Sequence, residues 1–194
     1  FICSIVEDDC REIGATMKRR ALHLVLGCCF GIALSTSAYA ADVEVDINKI
    51  NPDGVGDKIG TVIISEKSGG GLQFKVDITG VTPGEHGFHV HATGDCAAQT
   101  KDGKLQAGLA AGPHYDPTSS KSHKGPTGQG HKGDLPFLTA TDKGINVVVS
   151  APHLTLADVS GRALMIHEGG DNYTDHPENG GGKGRIACGV VPKS

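Results

Sequence analysis

Leu72-Gln73-Phe74-Lys75-Val76-Asp77-Ile78 alternates apolar and polar side chains without a break. A period of two fits a strand with one face buried and does not fit an amphipathic helix. The same alternation, less strict, runs through "VEVDINKI" (43–50), "IGTVIISE" (59–66), "HGFHVH" (86–91), "INVVVSA" (145–151), "ALMIHE" (163–168) and "RIACGVV" (185–191). Turn-forming "NPDG", "SGGG" and "TPGE" separate the early segments. Short strands, Gly/Pro turns and no helical periodicity predict an all-β sandwich or barrel. Two connections break the rhythm, one from about Ala92 to Asp142 and one from Gly169 to Gly184. Connections that long are uncommon in a compact domain and are usually functional. Both are rich in glycine, so something must order them, and a metal ion would.

The start of the chain reads differently. From Met17, "MKRRALHLVLGCCFGIALSTSAYA" has a basic opening, an apolar run from Ala21 to about Leu34, and Ala38-Tyr39-Ala40. That is the pattern of a secretory signal peptide over residues 17–40, with cleavage expected after Ala40 and delivery to the periplasm. The apolar run is short for a membrane span. A lipoprotein reading with Cys28 acylated is the weaker alternative. Residues 1–16 are treated as a doubtful upstream extension, which leaves residues 41–194 as the folded domain, with no membrane attachment once the leader is gone.

Removing the leader changes the cysteine arithmetic. Of six cysteines only Cys96 and Cys188 remain, and two cysteines in an exported chain predict one disulfide. The charge balance is unaffected, because the first 40 residues carry four basic and four acidic side chains and the full chain has net charge -4. An acidic balance excludes a generally basic, nucleic-acid-seeking surface.

"GFHVHATGDC" (87–96) places His89 and His91 on one face of a strand, with Phe88 and Val90 on the other. Burying the apolar pair leaves two neighbouring imidazoles on the outer face, and neutral imidazole is a metal ligand. The first long connection adds His114, His123, His131 and Asp134 in "GPHYDP", "SKSHKG" and "GQGHKGD". Three nitrogens and one carboxylate suit a closed tetrahedral zinc site. His167, in "ALMIHE", can approach from another strand. Six histidines and one aspartate are too many for one four-coordinate ion and suffice for two, provided one imidazole serves both.

These residues carry a resemblance. "GFHVHATGDC", "AGPHYDP", "HKGDLP" and "GRALMIHEGGDNYTDHPENGGGKGRIACGVV", in this order, resemble the copper–zinc superoxide dismutases in their exported bacterial form, over about Val43 to Val191. The resemblance implies a flattened eight-stranded Greek-key barrel with a metal-binding loop and an electrostatic loop, a sandwich architecture of which this family is itself a standard example. It implies one copper held by His89, His91, His114 and His167, and one zinc held by His114, His123, His131 and Asp134. Asp171 matches an aspartate that hydrogen-bonds one histidine of each ion. Cys96 and Cys188 match the family's disulfide. Arg185 matches the arginine that attracts and orients superoxide beside copper, and His114 the proton donor to peroxide. Lys101 and Lys104 correspond to lysines that rim the channel in bacterial relatives, with Lys183 a weaker candidate. The partner implied is the superoxide anion. The family's bacterial members include monomers and dimers, so a homodimer stays among the options.

Two other readings compete. One is a non-catalytic copper and zinc carrier on the same fold. The other is a zinc hydrolase at His89 and His91 with Glu85 or Glu168 as base, which leaves the loop cluster unexplained. His23 falls in the leader, while His86, His153 and His176 complete no ligand set; His86 is expected to bond backbone near the barrel end.

Overall fold

The structure, a computed structural model, describes residues 41–193. The expected upstream extension and signal peptide (1–16 and 17–40) lie outside the described residues. Eleven strands form among those described: β1 (Val43–Asn51), β2 (Gly54–Glu66), β3 (Leu72–Ile78), β4 (Gly84–His86), β5 (Phe88–His91), β6 (Gln99–Lys101), β7 (Lys104–Gln106), β8 (Leu138–Ala140), β9 (Ile145–Ala151), β10 (Ala163–His167) and β11 (Arg185–Val190). Every alternating segment of the sequence is among them.

Seven strands make one antiparallel sheet in the order β5-β10-β11-β1-β2-β3-β9, and β4 pairs with β8. Only Gly87 separates β4 from β5, and a tight turn at 141–144 joins β8 to β9. Taking β4 and β5 as one strand broken at Gly87 gives eight strands, with β8 and β9 at the two ends. The sheet curls on itself: Phe74 on β3 and Phe88 on β5 have four strands between them in the sheet order, yet their rings meet edge to face at 5.9 Å. Around them pack Val45, Ile47, Val62, Ile64, Leu72, Val76, Ile78, Val90, Leu135, Leu138, Ile145, Leu164 and Ile166, all buried. Each such side chain contributes about 1.5–3 kcal/mol of transfer free energy.

The long connections are less bare than the sequence suggests. The first contains the β6–β7 hairpin, a 3₁₀ turn at Leu109–Ala111 and β8. A one-turn helix, α1 (Leu156–Val159), is set by a capping box in which Thr155 and Asp158 exchange hydrogen bonds. Pieces of three or four residues carry too little periodicity to be read from sequence. The disulfide Cys96–Cys188 forms and ties the first connection to β11.

Candidate metal centre

Strand β5 lies at an edge of the main sheet, and the first long connection covers it. The Val90 amide donates to the Gly133 carbonyl (2.9 Å), the Tyr115 amide donates to the Val90 carbonyl (2.8 Å), and the Ala92 amide donates to the Pro113 carbonyl (2.9 Å). A Cβ on residue 133 would lie 2.2 Å from the Val90 carbonyl oxygen, so only glycine admits this approach. The docking sets His114 opposite His91 and Asp134 opposite His89 as bridge partners. The outer face of β5 is therefore not a free surface: His89 and His91 are as fully buried as Phe88 and Val90.

His167 arrives on β10, which pairs with β5 on its other side. Between Ile166 and His167 the register against β11 slips by one residue, so that His167 faces Arg185. Irregularities of this kind re-aim a side chain. The second connection supplies Asp171, whose two oxygens take hydrogen bonds from His89 Nε2 and His123 Nε2, both at 2.7 Å.

These contacts determine which ring nitrogens are free. His91 Nδ1–H donates to the Gly112 carbonyl (2.8 Å), leaving Nε2 as its lone pair; that atom lies 3.4 Å from His167 Nε2. His89 spends Nε2 on Asp171 and keeps a buried, unpartnered Nδ1. His114 has Nδ1 3.0 Å from Asp134 Oδ1 and a buried, unpartnered Nε2. His123 Nδ1 lies 3.0 Å from Asp134 Oδ2 without hydrogen-bond alignment, and His131 Nδ1 lies 3.4 Å from Asp134 Oδ1 in the same way. Buried nitrogens normally have partners. Several convergent lone pairs without one fit cations as the missing partners.

Among the described residues, donor atoms converge in two groups: His89, His91, His114 and His167, and His89, His114, His123 and Asp134. Distance alone puts His89 in both. Its chemistry does not, because only Nδ1 is free and one lone pair serves one ion. His114 alone offers a nitrogen to each side. His131 stands outside the tight second group but touches its carboxylate, and is the histidine available as that group's fourth donor.

Electrostatics support neutral rings on the first side. Burial first, then the neighbouring histidines and Arg185, holds His91 and His167 well below the usual histidine range. Burial, with His89 beside it, lowers His114 to about 3, so it carries a single ring proton at neutral pH. On the other side burial opposes charging of His123, yet the neighbouring carboxylates of Asp134 and Asp171 outweigh it and raise the ring to about 9. Asp134 stays ionised although burial opposes it, because His114, His123 and His131 all point at it.

One face of the first group opens into a cleft of about 710 Å³ lined by His114, His167, Arg185, Lys101, Lys183 and Glu178, with Glu168 also at its wall. The Arg185 guanidinium is fixed there by the carbonyls of Gly108 (2.5 Å) and Gly112 (2.7 Å). Lys104 pairs with Lys101 across the β6–β7 hairpin but does not line the cleft. Lys183, the weaker candidate by sequence, does line it. The two glycine carbonyls that hold Arg185 had no sequence signal, since any residue carries a carbonyl. His86 bonds the carbonyls of His167 (2.7 Å) and Thr82 (2.8 Å), as expected of a histidine at the barrel end.

Comparison with known proteins gives one consistent result. The family model described as copper/zinc superoxide dismutase matches residues 58–191. A Cu-Zn superoxide dismutase of Brucella abortus is 50% identical over 163 residues, covering 82% of this chain and 94% of that protein. A second from Salmonella typhimurium is 49% identical over 179 residues, covering 90% of this chain and 99% of that protein. The solved Cu/Zn superoxide dismutase from Brucella abortus superposes with TM-score 0.75 at 51% identity, covering 78% of this chain and 99% of that one.

Proposed function

The chain belongs to the copper/zinc superoxide dismutase family, and on that premise we propose which of its residues carry the dismutation of superoxide to oxygen and peroxide. Copper would be held by His89 Nδ1, His91 Nε2, His167 Nε2 and His114 Nε2. Zinc would be held by His114 Nδ1, His123 Nδ1, His131 Nδ1 and Asp134. The observation that carries this reading is the His114 ring, with one edge against Asp134 and the other a buried, unpartnered nitrogen beside His91 and His167.

Copper supplies the alternating one-electron oxidation and reduction of superoxide, while zinc keeps one oxidation state. The residues do the rest. Asp171 joins His89 to His123 through their Nε2 atoms and fixes both ring planes. Arg185 presents a fixed guanidinium to the cleft, where a small anion is attracted and oriented. Backbone carbonyls hold the guanidinium, so no carboxylate neutralises it directly. His114 lines the same cleft, and its Nε2 is the atom that would hold a proton and deliver it to peroxide.

Residues 17–40 would direct the chain to the periplasm with cleavage after Ala40, a reading supported by the leader pattern and by the disulfide. No helix among the described residues is long and apolar enough to cross a membrane. A homodimer would draw on exposed apolar side chains, and those described are Val55, Leu105, Val148 and Val190, on four different strands.

The test is metal analysis with a xanthine oxidase–cytochrome c assay. The loaded protein should hold one copper and one zinc and compete strongly for superoxide. His114→Ala should weaken both ions, and loss of one ion alone would overturn the shared-ring assignment.

A further inference from the structure

His123 is gripped at three points, two of them by residues of the second connection about fifty positions away. Its Nε2 bonds Asp171 and its Nδ1 abuts Asp134. Its backbone amide donates to Asp175 Oδ1 at 2.6 Å. Asp175 does more than accept that amide. Its other oxygen takes the Ser122 hydroxyl (2.9 Å) and the Lys124 ammonium (3.1 Å), so three consecutive residues converge on one carboxylate more than fifty positions away.

The opposite side of the same segment is pinned by the zinc-side donors. The His131 amide donates to the Ser122 carbonyl (2.9 Å), and the Lys124 amide donates to Asp134 Oδ2 (3.3 Å). Residues 122–124 thus lie between the carboxylate of the second connection and the cluster of the first. Neighbouring residues of the second connection reinforce the arrangement. The Tyr173 hydroxyl accepts from the Phe137 amide (3.1 Å), and the rings of Tyr173 and Phe137 stack at 5.9 Å.

We propose that Asp175 is a positioning residue for zinc. By holding the backbone of residues 122–124 it aims His123 Nδ1 at the point where Asp134 and His131 converge, and so makes zinc affinity depend on how the second connection is docked. The inference rests on the assignment of His123 to zinc. The ion pair with Lys124 is half-exposed and contributes little by itself. The charge-assisted acceptance of a backbone amide is the stronger part, since it restrains the chain next to a ligand. Groups that orient metal ligands change affinity by roughly 10–100-fold when removed.

Zinc affinity of Asp175→Ala, by competition with a chromophoric chelator, decides the matter, with copper affinity and the melting temperature of the metal-stripped protein measured alongside. The expected result is a loss of roughly tenfold or more in zinc affinity, with copper affinity and stripped-protein melting close to wild type. Cobalt placed in the zinc site should show altered visible bands. Asp175→Asn keeps an acceptor for the His123 amide and should recover part of the loss. Unchanged zinc affinity overturns the proposal. So does an equal loss of both ions together with a lowered melting temperature, which marks a general structural role. His123→Ala separates the two levels: if that variant binds zinc as wild type does, the ligand assignment itself fails.

Discussion

At the scale of single residues, the cleft gathers charges of both signs, and one of them is held in place by backbone. Arg185 lines it with His114 and His167, and its guanidinium is held by two backbone carbonyls. Arg185→Ala should therefore keep both ions and lose roughly tenfold or more in rate, read by pulse radiolysis and metal analysis. An unchanged rate would remove it from the mechanism. Lys101 and Lys183 line the cleft together with Glu168 and Glu178, while Lys104 is not among its lining residues. Lys183→Ala and Lys101→Ala should lower the rate at low ionic strength and flatten its salt dependence, an electrostatic steering effect for which this enzyme family is itself a reference case. Lys104→Ala should do less of both. A larger effect at Lys104 would show that the rate responds to the wider hairpin rather than to the cleft wall.

At the scale of elements, the strands were legible because alternation survives wherever one face is buried, as in β3, whose burial repeats its sequence pattern residue for residue. The pairing of His89 with His91 was legible for the same reason. What escaped was contact between elements. Nothing local announces that 113–115 and 133–135 dock on the edge of β5, that Gly133 must lack a side chain, or that the Ile166/His167 slip turns a histidine toward Arg185. Ligand chemistry pointed to the His114, His123, His131 and Asp134 set, but which imidazole would be shared was legible only through resemblance, since spacing along a glycine-rich connection does not tell which edge of a ring faces which neighbour. Gly133→Ala should cost about 2–4 kcal/mol in denaturant unfolding or prevent folding, because its Cβ meets backbone that cannot yield. Full stability would mean that this segment has another seat. The Cys96–Cys188 bond closes a loop with a sequence separation of 92, for which chain entropy gives about 4–5 kcal/mol. Its reduction should lower the melting temperature and, by freeing residues 96–112 from β11, reduce copper retention. Dialysis against a chelator with and without reductant checks both.

At the scale of the whole molecule, a net charge of -4 opposes an anionic substrate, so approach depends on the local field of the cleft. Stability should respond to pH with a definite sign. His91, His167 and His114 are held low in the fold by burial, His114 to about 3, whereas unfolded histidine titrates near about 6.5. Their contribution is complete above about 6.5 and is lost as pH falls toward their folded values. Asp134 and Asp171, held low by their histidine partners, add a loss that begins below about 4. His123 runs the other way, contributing fully below about 6.5 and losing its contribution as pH rises through about 9. Metal-stripped protein should therefore melt lower at about pH 4.5 than at about pH 7, and the reverse order in calorimetry would contradict the buried neutral rings. The carbonyl of Gly112 has a longer reach than its size suggests. One oxygen receives both the His91 Nδ1–H and the Arg185 guanidinium, so under the proposed assignment electron exchange and anion capture would share a single mechanical tolerance. A shift of that turn would then detune both together, tying speed of capture to grip on the ion.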